Sequence, residues 1–172
     1  MCRCHLAKVK LLSIKSNLAS NLKFYMFESM KKMEARNPKF KEYTELMIAR
    51  NKFIKWLGFD ITKIEPGYTE GELKFEELHH QQNGWLHGGV TSTILDMIQG
   101  FAAYSMVEDG QKVFTVEAKI SYLNPGTSDK FYARGGVIKP GKRFHFCEAE
   151  VYYLKEGEEV IVAKGSSTMA VI

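Results

Sequence analysis

Between Val90 and Val107 the chain carries no proline and one internal glycine, Gly100. Val90, Ile94, Leu95, Met97, Ile98, Phe101 and Ala102 are spread over most of a helical circumference. A helix apolar over so wide an arc has to be wrapped by other structure. The C-terminal third of the chain can supply the wrapping. Phe114, Val116, Ala118, Ile120 and Tyr122 alternate with Thr115, Glu117, Lys119 and Ser121, a period of two that predicts a strand. Asn124-Pro125-Gly126 ends it. Three more strand-like runs cover about 130–138, 143–154 and 159–171, with turns at Lys139-Pro140-Gly141-Lys142 and Lys155-Glu156-Gly157-Glu158. Connections this short make neighbours antiparallel. The expected fold class is α+β, with a central helix over about 90–107 and long antiparallel strands curled around it.

Upstream, Pro66-Gly67 separates two short strand-like pieces within 59–78. Tyr43, Leu46, Met47, Ile54 and Leu57 recur at helical spacing and predict one helix over Phe40–Leu57, stopped by Gly58. Residues 5–35 read as a weakly amphipathic helix, and Asn37-Pro38 marks a break.

With 172 residues the chain has the length for a single substantial core, and no run approaches the roughly 18 apolar residues of a spanning helix. Cys2, Cys4 and Cys147 do not form a disulfide framework, which points to a reducing compartment. Cytoplasmic localisation is expected, or the mitochondrial matrix if the N-terminus is a transit peptide. The first 27 residues contain no acid, but they do contain Arg3, Lys8, Lys10, Lys15 and Lys23. Residues 1–50 hold eleven Lys/Arg against four Glu, whereas 51–172 hold thirteen against sixteen acids. The basic character therefore belongs to a 1–50 extension and not to the 51–172 body. Cys2, Cys4 and His5 lack a second ligand cluster nearby, so no metal is expected there.

Chemistry concentrates where Gln81-Gln82-Asn83-Gly84-Trp85-Leu86-His87-Gly88-Gly89 runs into the apolar helix, with Asp96 two turns inside it. The first N–H groups of a helix lack intrahelical partners and can hold developing negative charge. An acid nearby supplies a base or nucleophile, which together suits acyl transfer. Asp96 shares its stripe with Ser92, Thr93, Gln99 and Gly100. That stripe fits a solvated side and a cleft lining equally well. His87 sits where a cap belongs, and capping suits it better than general-base work. His79 and His80 read as surface loop residues. Lys139, Lys142 and Arg143 gather around Gly141, as in a solvated hairpin or a phosphate grip. The cluster is too small for nucleic-acid binding, and no aromatic interleaving accompanies it.

Gln81-(x)5-His87-Gly88-Gly89-(x)6-Asp96, the strand Phe114-Thr115-Val116-Glu117 and the ending Tyr122-Leu123-Asn124-Pro125 resemble the hotdog-fold acyl-CoA thioesterases of the phenylacetate-degradation and 4-hydroxybenzoyl-CoA type. The resemblance spans roughly residues 55–172. It implies five or six antiparallel strands around the helix, and a homodimer or homotetramer whose active sites lie between subunits. Asp96 of one subunit would face Gln81, His87 and Gly88 of the other. The Gly88 N–H and Gln81 amide would polarise the thioester carbonyl, and Asp96 would activate water or attack directly. His87 would orient the loop and Thr115 would help place the water. Gly89, Tyr122, Lys139, Pro140, Gly141, Lys142, Arg143 and Phe144 would hold the coenzyme A arm. No metal or redox cofactor is required. Many relatives have Ser or Thr within one turn after the acid, where this chain has Gln99 and Gly100, a departure from the family's water-positioning network that would also widen the acyl pocket. Two rival readings stand beside it. One is a non-catalytic acyl-CoA-binding module whose basic arm contacts DNA or a partner. The other is a hotdog hydratase, for which the Asp-to-His spacing is missing.

Overall fold

The computed structural model describes residues 33–172. The predicted helix over 5–35 lies almost wholly outside that range, and residues 33–35 are irregular. The chain then forms α1 (Phe40–Arg50), α2 (Lys52–Leu57), β1 (Phe59–Glu65), β2 (Tyr68–Lys74), a 3-10 turn (Glu77–His79), α3 (Gly88–Tyr104), β3 (Val113–Tyr122), β4 (Lys130–Pro140), β5 (Phe144–Lys155) and β6 (Glu158–Val171). Asn51 divides the single helix expected over Phe40–Leu57. Its backbone turns to ψ 98°, and its Oδ1 accepts the N–H groups of Phe53 and Ile54 at 3.0 and 3.1 Å. Asparagine competes for backbone donors in this way and so caps a new helix instead of continuing the old one.

The six strands make one antiparallel sheet in the order β1-β2-β4-β5-β6-β3. The β4-β5-β6 run is the meander that its short turns imply. β3 crosses to the far edge and, among the described residues, pairs only with β6. α3 lies in the concave face, where Ile94, Leu95, Ile98 and Phe101 pack against Leu73, Phe131, Ala133, Ala149, Val151, Val162 and Ala163. Ile54 and Leu57 of α2 join this core, and Met47 and Ile48 of α1 pack against it. Each fully buried aliphatic or phenyl side chain is worth about 1.5–3 kcal/mol of hydrophobic stabilisation, so the helix and sheet hold each other.

α3 starts two residues before the expected 90 and stops three before the expected 107. The early stop has a local cause. Ser105 Oγ donates to the Ala102 carbonyl at 2.7 Å and accepts the Gly67 N–H at 2.8 Å, tying the helix end to the β1–β2 turn. Ser105, Met106 and Val107 stay buried, but outside the helix.

β3 departs from its simple alternation. A bulge falls between Thr115 and Glu117, leaving Val116 unpaired. An inserted residue reverses the in-out sense of everything beyond it. Thr115 and Tyr122, of opposite parity in the sequence, therefore both reach α3. As the outer strand β3 is also poorly covered, with Phe114, Val116 and Tyr122 each more than half exposed.

Candidate active site

The loop entering α3 is pinned from several directions. The Gln81 N–H donates to the Trp85 carbonyl at 2.8 Å, Leu86 N–H to Gly126 at 3.0 Å, and His87 N–H to His79 at 2.8 Å. His79 is not a surface residue. It is 1% exposed; its Nδ1 accepts the Glu76 N–H at 3.0 Å and its Nε2 meets the Leu57 carbonyl at 2.8 Å. The imidazole thus joins the end of α2 to the 3-10 turn, and the backbone carbonyl of the same residue holds the α3 entry. The sequence signal was its place three residues after Glu76, the spacing of a capping box. His80 is exposed, as expected, and stacks on Phe75.

His87 caps α3 with its ring: Nδ1 accepts the Gly89 N–H at 2.8 Å, which places the neutral ring's proton on Nε2. A Cβ at Gly89 would lie 2.9 Å from that Nδ1, so the cap requires glycine. The Gly88 N–H, first in the helix, has no acceptor among the described residues. Its carbonyl accepts Tyr122 Oη at 3.0 Å, and the tyrosine ring lies over the position a Gly88 side chain would occupy. Gln81 is half-buried and its Oε1 accepts the Asn83 N–H at 2.7 Å, leaving its amide NH2 to donate.

Asp96 is exposed on the open face of α3. Its Oδ1 accepts the Thr115 hydroxyl at 2.6 Å, and that hydroxyl also lies 3.3 Å from Met169 Sδ. The polar stripe expected around Asp96 is only partly real. Gln99 is fully buried; its Nε2 donates to the Leu95 carbonyl at 2.9 Å and its Oε1 accepts Ser167 Oγ at 2.7 Å. It serves the helix–sheet contact and does not line a cleft. Gly100, one turn after Asp96 on the same open side, has nothing within 4 Å of where a Cβ would stand. The Gln99–Ser167 pairing carries no sequence signal, because it joins residues far apart in the chain.

Lys139 and Pro140 end β4, Phe144 opens β5, and Lys142 and Arg143 are exposed between them. The turn closes through the Gly141 N–H to the Phe144 carbonyl at 2.9 Å, and Arg36 Nη2 donates to Gly141 O at 3.0 Å. Strand register places Phe144 level with Ala170 and Phe114, next to the row that holds Thr115. The cationic turn therefore lies at the Asp96–Thr115 end of the sheet. Tyr122 and Gly88 mark the opposite end. Gly88 and Asp96 are eight residues apart on one helix, a rise of about 12 Å. Within a single chain they cannot both touch one carbonyl group.

Comparison with known proteins places the chain in a family. The family model of the Thioesterase superfamily matches residues 83–160, which include His87, Gly88, Asp96 and Thr115. The solved structure of a thioesterase family protein from Silicibacter pomeroyi is 33% identical, covers 77% of this chain and 98% of its own, and superposes with a TM-score of 0.75. The chain belongs to the thioesterase superfamily. Human acyl-coenzyme A thioesterase 13 is 28% identical over 138 residues, 79% of this chain and 96% of the human protein. The Escherichia coli PaaI protein of the phenylacetic acid degradation operon, 19% identical, shares the fold with a TM-score of 0.71 over 80% of this chain and 96% of its own. The six-stranded sheet around α3 is thus the hotdog fold expected from the motif, with six strands and not five. Among the described residues no group of His, Cys, Asp and Glu is arranged to hold a metal, and no helix is long and apolar enough to cross a membrane.

Proposed function

We propose that this thioesterase hydrolyses acyl-CoA, giving a free carboxylic acid and coenzyme A, with each active site built from two copies of the chain. The observation that carries the reading is Asp96 held by Thr115 on an open helix face, about 12 Å of helix rise from the free Gly88 N–H. A second copy running antiparallel brings its own helix start opposite Asp96. The half-exposed edge strand β3 supplies the pairing surface, since a closed β3–β3 contact would satisfy its open backbone groups.

In this arrangement the thioester oxygen lies against the Gly88 N–H and the Gln81 amide of one copy. Asp96 of the other takes a proton from water as the water oxygen bonds to the carbonyl carbon. The tetrahedral oxyanion draws on the helix-start donors and dipole. Collapse breaks the C–S bond, and the thiolate leaves with the proton returned by Asp96. Direct attack by the carboxylate uses the same groups: the Asp96 oxygen bonds to the carbonyl carbon, the C–S bond breaks and the thiolate leaves, and water then cleaves the anhydride to the free acid and the Asp96 carboxylate. Thr115 fixes the carboxylate rotamer, and the His87 cap fixes the loop. Gly89, Tyr122 and the Lys139–Phe144 turn take the coenzyme A arm, with Lys142 and Arg143 facing phosphate. Open space at Gly100 leaves room for the acyl group. Neither a metal nor a redox cofactor enters these steps. Residues 51–172 carry the chemistry and residues 1–50 stand outside it, in a reducing compartment, cytoplasmic or mitochondrial.

The test is thiol release from a panel of acyl-CoAs by wild type and by Asp96→Asn. Wild type should turn over at least one of them and the variant should be nearly inert. An inert wild type that still binds acyl-CoA would return the chain to the binding-module reading, and a fully active variant would remove Asp96 from the mechanism.

A further inference from the structure

The six residues of α2 are Lys-Phe-Ile-Lys-Trp-Leu, and their placement is unusual for a helix in a folded protein. Ile54 and Leu57 enter the core at 2% exposure each, which is enough to anchor the element. The opposite side presents Phe53 and Trp56, 53% and 65% exposed, with rings stacked at 5.8 Å between centroids and 12° between planes. Lys52 and Lys55 flank them, both exposed, and the helix contains no acid. Asn51 caps its start and Gly58, at φ 70°, closes its end, so the aromatic pair is held outward on a rigid stub. The adjoining α1 is charge-balanced, Lys41 and Arg50 against Glu42 and Glu45. Across α1 and α2 together the net charge therefore comes from the two α2 lysines; the exposed acids nearby, Asp60, Glu76 and Glu77, lie beyond the C-terminal end of α2, on β1 and on the turn that His79 fastens there. Leu78, half-exposed, belongs to the turn that His79 fastens to Leu57, beside the same helix end.

We infer that α2 is a docking face for an anionic lipid bilayer. Trp and Phe bury their rings at the headgroup boundary, and lysines beside them reach phosphate and carboxylate groups while their stems cover apolar surface. Charge selects this occupant. The basic N-terminal segment, acid-free through residue 27, is repelled by the lysines and would add to their attraction for an anionic surface. A second copy of the chain would meet this face with the same two lysines under two-fold symmetry. The contact does not depend on hydrolysis. Through Leu57, His79 and His87 it would set the α3 entry close to the surface where long-chain thioesters partition.

The experiment is co-sedimentation of the full chain with phosphatidylcholine vesicles, with and without one-third phosphatidylserine. The wild type should bind the anionic vesicles preferentially and lose binding at high salt, because attraction between exposed charges is screened. Phe53→Gln with Trp56→Gln, and separately Lys52→Glu with Lys55→Glu, should each weaken binding by about tenfold or more, while thermal unfolding and hydrolysis of a short, soluble acyl-CoA stay unchanged. Absence of wild-type binding would overturn the proposal. So would unaltered binding by both double variants, which would assign the attraction to the N-terminal segment. A change of oligomeric state in the aromatic double variant would assign the face to a second copy and overturn it equally. Because binding is read without turnover, failure here is distinct from failure of the hydrolytic reading.

Discussion

Thr115 Oγ1 lies 2.6 Å from Asp96 Oδ1, a hydroxyl on the edge strand holding a carboxylate on the central helix. A hydrogen bond to a charged group contributes about 1.5–3 kcal/mol, and this one orients the carboxylate to which the proposed mechanism gives the water. Thr115→Val should lower kcat by about tenfold or more with little change in KM, because orientation matters most in the transition state. Asp96→Asn should lower kcat by about a hundredfold or more, the range of general-base catalysis. Steady-state thiol release measures both, and a Thr115→Val effect confined to KM would contradict the assigned role.

An active site shared between two copies, as proposed, would have a signature that single variants lack. Asp96→Asn and Gln81→Ala chains are each expected to be nearly inactive, yet under the proposed two-copy site their co-expression should give mixed dimers with one intact site of two. Random pairing then restores about a quarter of wild-type activity. If the mixture stays inactive, Gln81 and Asp96 act within one chain or not at all.

Glu150 is 1% exposed on the outer face of the sheet. Arg134 Nε donates to it at 2.9 Å and Lys164 Nζ lies 3.2 Å away. Arg134 also donates to Glu159 at 2.7 Å and lies 4.5 Å from the centre of the Tyr152 ring. Removing one partner strands a buried charge, so Glu150→Gln or Arg134→Met should cost about 3 kcal/mol in urea unfolding. Activity per folded molecule should not change.

His145 is fully buried on β5 and neither ring nitrogen has a hydrogen-bond partner among the described residues. Burial, with Arg36 adding repulsion, lowers its pKa from 6.5 to about 4. Above pH 6.5 the ring is neutral in both states and contributes no pH dependence. As pH falls from 6.5 towards 4 the unfolded chain binds a proton that the folded chain resists, so stability drops. The loss approaches about 3 kcal/mol and levels off below the folded pKa. His145→Leu should flatten this slope in urea midpoints measured at pH 7 and pH 5, and an unchanged slope would place the effect on carboxylates instead.

Much of this protein is legible as one-dimensional pattern. The broad apolar arc of α3, the short glycine turns of β4 to β6 and the His87-Gly88-Gly89 entry are local, and local periodicity reports local structure. The spacing from Gln81 to Asp96 carries the family resemblance. His79 reads as a surface residue in the sequence because its burial depends on Leu57, 22 residues away, whose carbonyl is its partner. Gln99 reads as part of a polar stripe because its amide finds Ser167, a partner no helical wheel contains.

On its own, the sequence determined the elements: a helix that has to be wrapped, strands to wrap it, and an acid two turns inside a glycine-opened start. The tertiary structure decided which groups meet. The alternation of β3 assigns Thr115 and Tyr122 to opposite faces, yet one touches Asp96 and the other Gly88. The bulge at Val116 reverses the strand between them, and a bulge is a property of two paired strands. Register exists only once β3 lies against β6, which is why no reading of β3 alone could place both side chains on the helix.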